Sequence, residues 1–116
     1  MNGASQRFPT ACRIRERREF KLVERQGGRA SGSHFVVFVH RADDGRRRLG
    51  VTVSRRVGGA VIRNRVKRLV REVFRRGSTP AGDVVVIART GAGGLAYGEV
   101  QAELARLWQR AAAPRS

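Results

Sequence analysis

Apolar and polar positions along the chain follow two rhythms. Beginning at Ile62, the residues Val66, Leu69, Val70, Val73 and Phe74 return every three or four positions. At 100° per residue they line one side of a helix packed on a core. Tyr97, Val100, Leu104, Leu107 and Ala111 repeat the pattern and predict a last helix over about Tyr97 to Ala112. A shorter helix is predicted from about Arg15 to Gln26, closed by Gly27 and Gly28. Its apolar content is thin, with Phe20 and Val23 on one face and Leu22 off it, and no Ser, Thr or Asp marks its start.

The other rhythm has period two. SHFVVFVHR, residues 33–41, reads as a strand with Phe35, Val37 and Val39 on one face and Val36, Phe38 and His40 on the other. Arg46 to Ser54 reads the same way, Leu49, Val51 and Val53 alternating with Gly50, Thr52 and Ser54. With Ala42 to Gly45 as a turn, the two strands are expected to pair as a hairpin. One face of the sheet is then apolar, and the other is small, polar and aromatic, available as a groove. Asp83 to Arg89, DVVVIAR, is apolar almost throughout, the habit of a central or parallel strand covered on both sides. Strand, helix and strand around Val66 form a βαβ unit, for which chain statistics favour a right-handed crossover. Residues 1–13 are expected to be a flexible tail, 14–112 a single domain and 113–116 a frayed end, without repeat or second domain.

Charge changes the picture at the second helix. Asn64, Lys67, Arg68, Arg71 and Arg75 share the face opposite the apolar stripe, Arg63 and Arg65 flank it, and Glu72 is the helix's only acid. Like charges four apart, as at Lys67 and Arg71, cost a few tenths of a kcal/mol each, roughly what an opposite pair would contribute. Stability does not explain such a stripe; a polyanion does. The whole chain agrees, with 25 Lys and Arg against nine acids in 116 residues, a net charge of +16. Nucleic acid is the leading partner. A membrane is not expected, because the longest apolar runs, FVVFV and VVVIA, fall far short of the roughly 20 residues of a spanning helix. The start of the chain lacks the apolar run of a secretory signal, and Cys12 is the only cysteine, so no intrachain disulfide forms and the cytoplasm is the expected compartment. Arginine supplies all the basic residues except Lys21 and Lys67. Bidentate phosphate recognition and a GC-rich genome explain that excess equally well, so it decides nothing.

Chemistry that breaks bonds is hard to find in the sequence. His34 and His40 lie about 20 Å apart on an extended strand, too far to share a metal. No Cys and His spacing resembles a zinc site, Asp43 and Asp44 belong to a turn, and Asp83 opens a strand. Gly58 and Gly59 allow a sharp turn before the basic helix, either as a plain connection or as a place where backbone amides approach phosphate.

The order of residues is also informative. Gly50-Val51-Thr52-Val53-Ser54-Arg55-Arg56-Val57-Gly58 followed by Ala60-Val61-Ile62-Arg63-Asn64-Arg65-Val66-Lys67-Arg68 resembles the signature of the protein subunit of bacterial ribonuclease P, including its RNR motif. The likeness runs through Arg18-Glu19-Phe20, Val23, Gly27, FVVF, DVVVIAR, Tyr97, Glu99, Leu104 and Leu107 in family order. The resemblance implies an α/β (α+β) two-layer sandwich, with a mixed four-stranded sheet and three helices in the order αβββαβα. It also implies a left-handed βαβ crossover, against the general rule, and a fourth strand near Arg29 to Ser31. It implies a protein that assists a catalytic RNA, with Mg²⁺ held mainly by that RNA, in removing the 5′ leader of precursor tRNA; no obligate protein partner is implied. The family's RNA-subunit contacts carry over to Ser54, Arg55, Arg56, Arg63, Asn64, Arg65, Lys67, Arg68 and Arg71. Its leader cleft carries over to Phe20, Phe38 and Val36. Glu24 departs from the pattern where some members have a second aromatic, and Gly59 where Asn is frequent. A ribosomal-type or general RNA-binding protein remains the alternative class, distinguished by failing to stimulate cleavage when mixed with the RNA subunit.

Overall fold

A computed structural model describes residues 12–77 and 79–113. Most of the expected tail and frayed end lie outside these residues. The element order is α1 (Arg17–Gln26), β1 (Gly28–Ser31), β2 (Phe35–Arg41), β3 (Arg47–Val53), α2 (Ala60–Arg76), β4 (Gly82–Ala88) and α3 (Tyr97–Ala112). Short 3-10 turns at Arg55–Val57 and Ala92–Gly94 precede α2 and α3. The fourth strand is the piece expected near Arg29. Helix α1 begins at Arg17 rather than Arg15, and Glu16 before it makes no side-chain capping bond.

One expectation about the sheet is wrong. Strand order is β1-β2-β4-β3, so β2 and β3 do not form a hairpin. β4 lies between them, antiparallel to β2 and parallel to β3. The physical reason is burial. Every residue of β4 except Ile87 is buried, whereas β3 carries Arg47, Arg48 and the exposed Thr52, so the most apolar strand takes the centre and β3 the edge. The link between β2 and β3 has only to step over one strand, about 10 Å. Arg13 and Ile14 run parallel to β3 along its outer edge, the Ile14 amide donating to the Leu49 carbonyl at 2.9 Å.

The two faces divide as the alternation predicts. Phe35, Val37 and Val39, Leu49 and Val53, and Val84, Val86 and Ala88 meet Val66, Val70, Val73 and Phe74 of α2 and Val100, Leu104, Leu107 and Trp108 of α3 in the main core. Trp108 and Phe74 pack edge to face with centroids 6.3 Å apart. The opposite face holds a smaller cluster of Ile14, Val23, Phe38 and Val85, with Phe20, Val36 and Ile87 packed around it beneath α1.

Helix α1 brings so few apolar residues that ionic contacts help to fix it. Arg48 of β3 forks onto Asp83 at 2.9 and 2.8 Å and reaches Glu19 of α1 at 3.0 Å. The bond to Asp83 raises the Arg48 pKa against the opposing effect of burial, and Glu19 adds to the rise. Gly50 is required beneath the helix, because a Cβ there would lie 2.6 Å from the Phe20 ring. On the other layer, Glu103 of α3 is 8 % exposed, yet one carboxylate oxygen accepts the His34 and Phe35 amides at 2.8 and 3.0 Å and the other meets His34 Nδ1 at 2.8 Å.

Candidate nucleic-acid interface

Periodicity places the basic face of α2, and the structure leaves it without acids over its first three turns. Arg63 through Arg71 form no ion pair among the described residues, whereas Glu72 engages Arg75 and Arg76 at 2.7 and 2.8 Å. Those bonds, with Arg75 foremost, hold the Glu72 carboxyl below its ordinary range. Asn64, Arg65 and Arg68 are exposed; Arg63, Lys67 and Arg71 are half-buried. Ser54, Arg55 and Arg56 are exposed just before the helix. Arg65 is tied down, donating to the carbonyls of Gly93 and Leu95 at 3.0 Å each, so it also fastens the loop before α3 to α2.

Three hollows join into one track around the β3 edge. The first, about 320 Å³, lies between Arg13 and α2 and is lined by Asn64, Lys67, Arg68, Arg71, Glu72 and Arg75. The next, about 260 Å³, shares Arg13 and Arg71 and continues past Ile14 and Arg15 to Phe20, Leu49 and Val51. The last, about 360 Å³, shares Arg15 and Phe20 and opens along Arg17, Lys21, Glu24 and Thr52. Burial, and then the charge of Arg13, lower the Arg71 pKa. An anion bound between these two cations relieves their repulsion.

Sheet register explains the shape of the α1 side. Phe38, Val85 and Gly50 form one cross-strand row, and Val36, Ile87 and Thr52 the next. The first row carries α1; the second is half-buried or exposed. Phe20 and Val36 thus gather at the cleft. Phe38 shares their cluster but is 9 % exposed under α1, with the Arg29 guanidinium 5.9 Å from its ring centre. Glu24 borders the outermost hollow beside Lys21. Sequence reasoning missed Arg13, Arg15 and Arg17 as lining residues, although RIRERR carried the signal as a dense basic run.

No group of three or more His, Cys, Asp or Glu gathers to hold a metal ion among the described residues. Asp83, Glu103 and Glu72 are engaged with Arg48, His34 and Arg75. These residues do not fit a resident Mg²⁺.

An α+β sheet with an uncompensated basic helix face and a cationic track ending at an aromatic defines an RNA-binding protein. The family model described as Ribonuclease P matches residues 8–112. The ribonuclease P protein component of Desulfovibrio desulfuricans is 48% identical over 112 residues, covering 90% of this chain and 86% of the relative. That of Shouchella clausii is 42% identical, covering 85% and 84%. The solved RNase P proteins of Staphylococcus aureus and Thermotoga maritima superpose with TM-scores of 0.76 and 0.75 at 31% and 36% identity. The first match covers 86% of this chain and 94% of that one; the second covers 84% and 96%. The chain belongs to the ribonuclease P protein family, the protein component of an endoribonuclease ribonucleoprotein that processes tRNA 5′ ends.

Proposed function

We propose that this protein holds two RNAs together, the RNA subunit on the basic face of α2 and the 5′ leader of precursor tRNA in the cleft beside α1. The continuous track from Arg68 and Arg71 past Arg13 and Arg15 to Phe20 carries this reading. Ser54, Arg55, Arg56, Arg63, Asn64, Arg65, Lys67, Arg68 and Arg71 face the RNA subunit, screening phosphate repulsion at the point where leader and catalyst meet. Phe20 and Val36 offer apolar surface to unstacked leader bases, with Phe38 supporting them from below. Cleavage belongs to the RNA subunit and the Mg²⁺ it binds. The protein works in the cytoplasm, with no obligate protein partner, as the single RNA-binding domain formed by residues 14–112. No helix among the described residues is long and apolar enough to cross a membrane.

Phe20 tests the leader half of this reading. Base stacking on an aromatic is worth about 1–3 kcal/mol per base. Phe20→Ala in the reconstituted ribonucleoprotein is therefore expected to weaken binding of leader-bearing precursor by about tenfold or more, and of mature tRNA hardly at all. Equal losses for both RNAs would show that Phe20 serves only the fold.

A further inference from the structure

Large apolar side chains exposed among the described residues are few, and two of them, Val61 and Ile62, adjoin in the first turn of α2. Ile62 has a structural reason, since it packs on Gly58 and Gly93, where an added Cβ would come within 2.9 and 2.7 Å of it. Val61 has none. It is 83% exposed and belongs to neither hydrophobic cluster. Helical spacing puts Asn64 and Arg65 one turn along the same face and Arg68 two turns along. Arg55 and Arg56 lie exposed just ahead of the helix. An apolar side chain thus projects from a face that is otherwise cationic.

We infer that Val61 packs against the face of an unpaired nucleobase of the RNA subunit, an apolar contact set inside the phosphate-binding face. The inference rests on the assignment of this face to that RNA. Charge complementarity selects the partner: the surrounding groups are Arg55, Arg56, Asn64, Arg65 and Arg68, and the helix has no acid before Glu72. A duplex buries its base faces in stacking and presents phosphates and 2′-hydroxyls, so only an unstacked base offers a matching apolar surface. The leader is not that source, because its cleft lies in the other layer, across the β3 edge. Covering a valine changes a binding constant by about tenfold without releasing counterions.

The test is a salt series of binding constants to the cognate RNA subunit transcribed in vitro, for wild type, Val61→Ser, Val61→Leu and Arg68→Ala. Val61→Ser is expected to bind about 5–10-fold more weakly at every salt concentration, with the logarithmic salt slope and the melting temperature unchanged. Val61→Leu keeps wild-type affinity. Arg68→Ala lowers the slope by about 0.7–0.9, the signature of one lost phosphate contact. Val61→Ser binding as tightly as wild type, or losing slope as Arg68→Ala does, overturns the inference while leaving the assignment of the face intact. Wild-type binding without a steep slope overturns the assignment itself.

Discussion

Charge reversal at Arg68 and Arg71 together is expected to lower affinity for the RNA subunit by about a thousandfold near physiological salt and to flatten the logarithmic salt slope by roughly 1.5. Removing two phosphate contacts accounts for the slope, and placing two carboxylates against the backbone adds the repulsion that makes the loss so large. Both positions lie on the hollow that Arg13 closes, where no acid other than Glu72 intervenes among the described residues. Unfolding does not imitate the effect. Arg71 already suffers from burial and from Arg13, so a carboxylate in its place gains cationic neighbours and the melting temperature is expected to hold or rise. Filter binding across salt concentrations, with thermal melts of both proteins, checks this. A double variant that binds normally would remove α2 from the interface.

Glu103→Ala is expected to destabilise the fold by about 3 kcal/mol, without touching any RNA-facing residue. The carboxylate is nearly buried and satisfies two backbone amides and the His34 ring, so truncation strands three groups at the start of β2. Burial raises its pKa, but the bonds from His34 and from the Phe35 amide outweigh burial, and the net shift is downward. The folded pKa is therefore below the unfolded one. Its contribution is fully present above the ordinary Glu value of about 4.3 and is lost as pH falls through the lower folded value. The stability difference between wild type and Glu103→Gln should accordingly shrink as the pH falls below the ordinary Glu value of about 4.3. Denaturant titrations at several pH values measure it; a difference that grows on acidification would reverse the sign assigned to Glu103.

Local pattern revealed faces better than neighbours. The apolar stripe and the cationic face of α2 were both legible because a helix's period fixes which side chains share a side. The split of β2 into Phe35, Val37 and Val39 against Val36, Phe38 and His40 was legible for the same reason. Pairing was not. Alternation says which way Leu49 or Gly50 points, but the partner of β3 is 35 residues on in the register of Arg48 with Asp83, and only the two-sided burial of β4 hinted at its central place. Buried polar contacts were hidden too. Glu103 breaks the apolar stripe of α3, and its partners lie 68 and 69 positions away, so nothing local distinguishes it from a solvated acid. Phe38 shows a further limit: its face was legible, but its burial beneath α1 was not.

Precursor tRNA with Mg²⁺ and this protein, the RNA subunit, or both is the measurement that bears most directly on the division of labour proposed here. The protein alone is expected to leave the precursor intact, and its addition to the RNA subunit at low Mg²⁺ to raise the rate of leader removal steeply. Cleavage by the protein alone, or an RNA subunit that works equally well at low Mg²⁺ without it, would contradict the account.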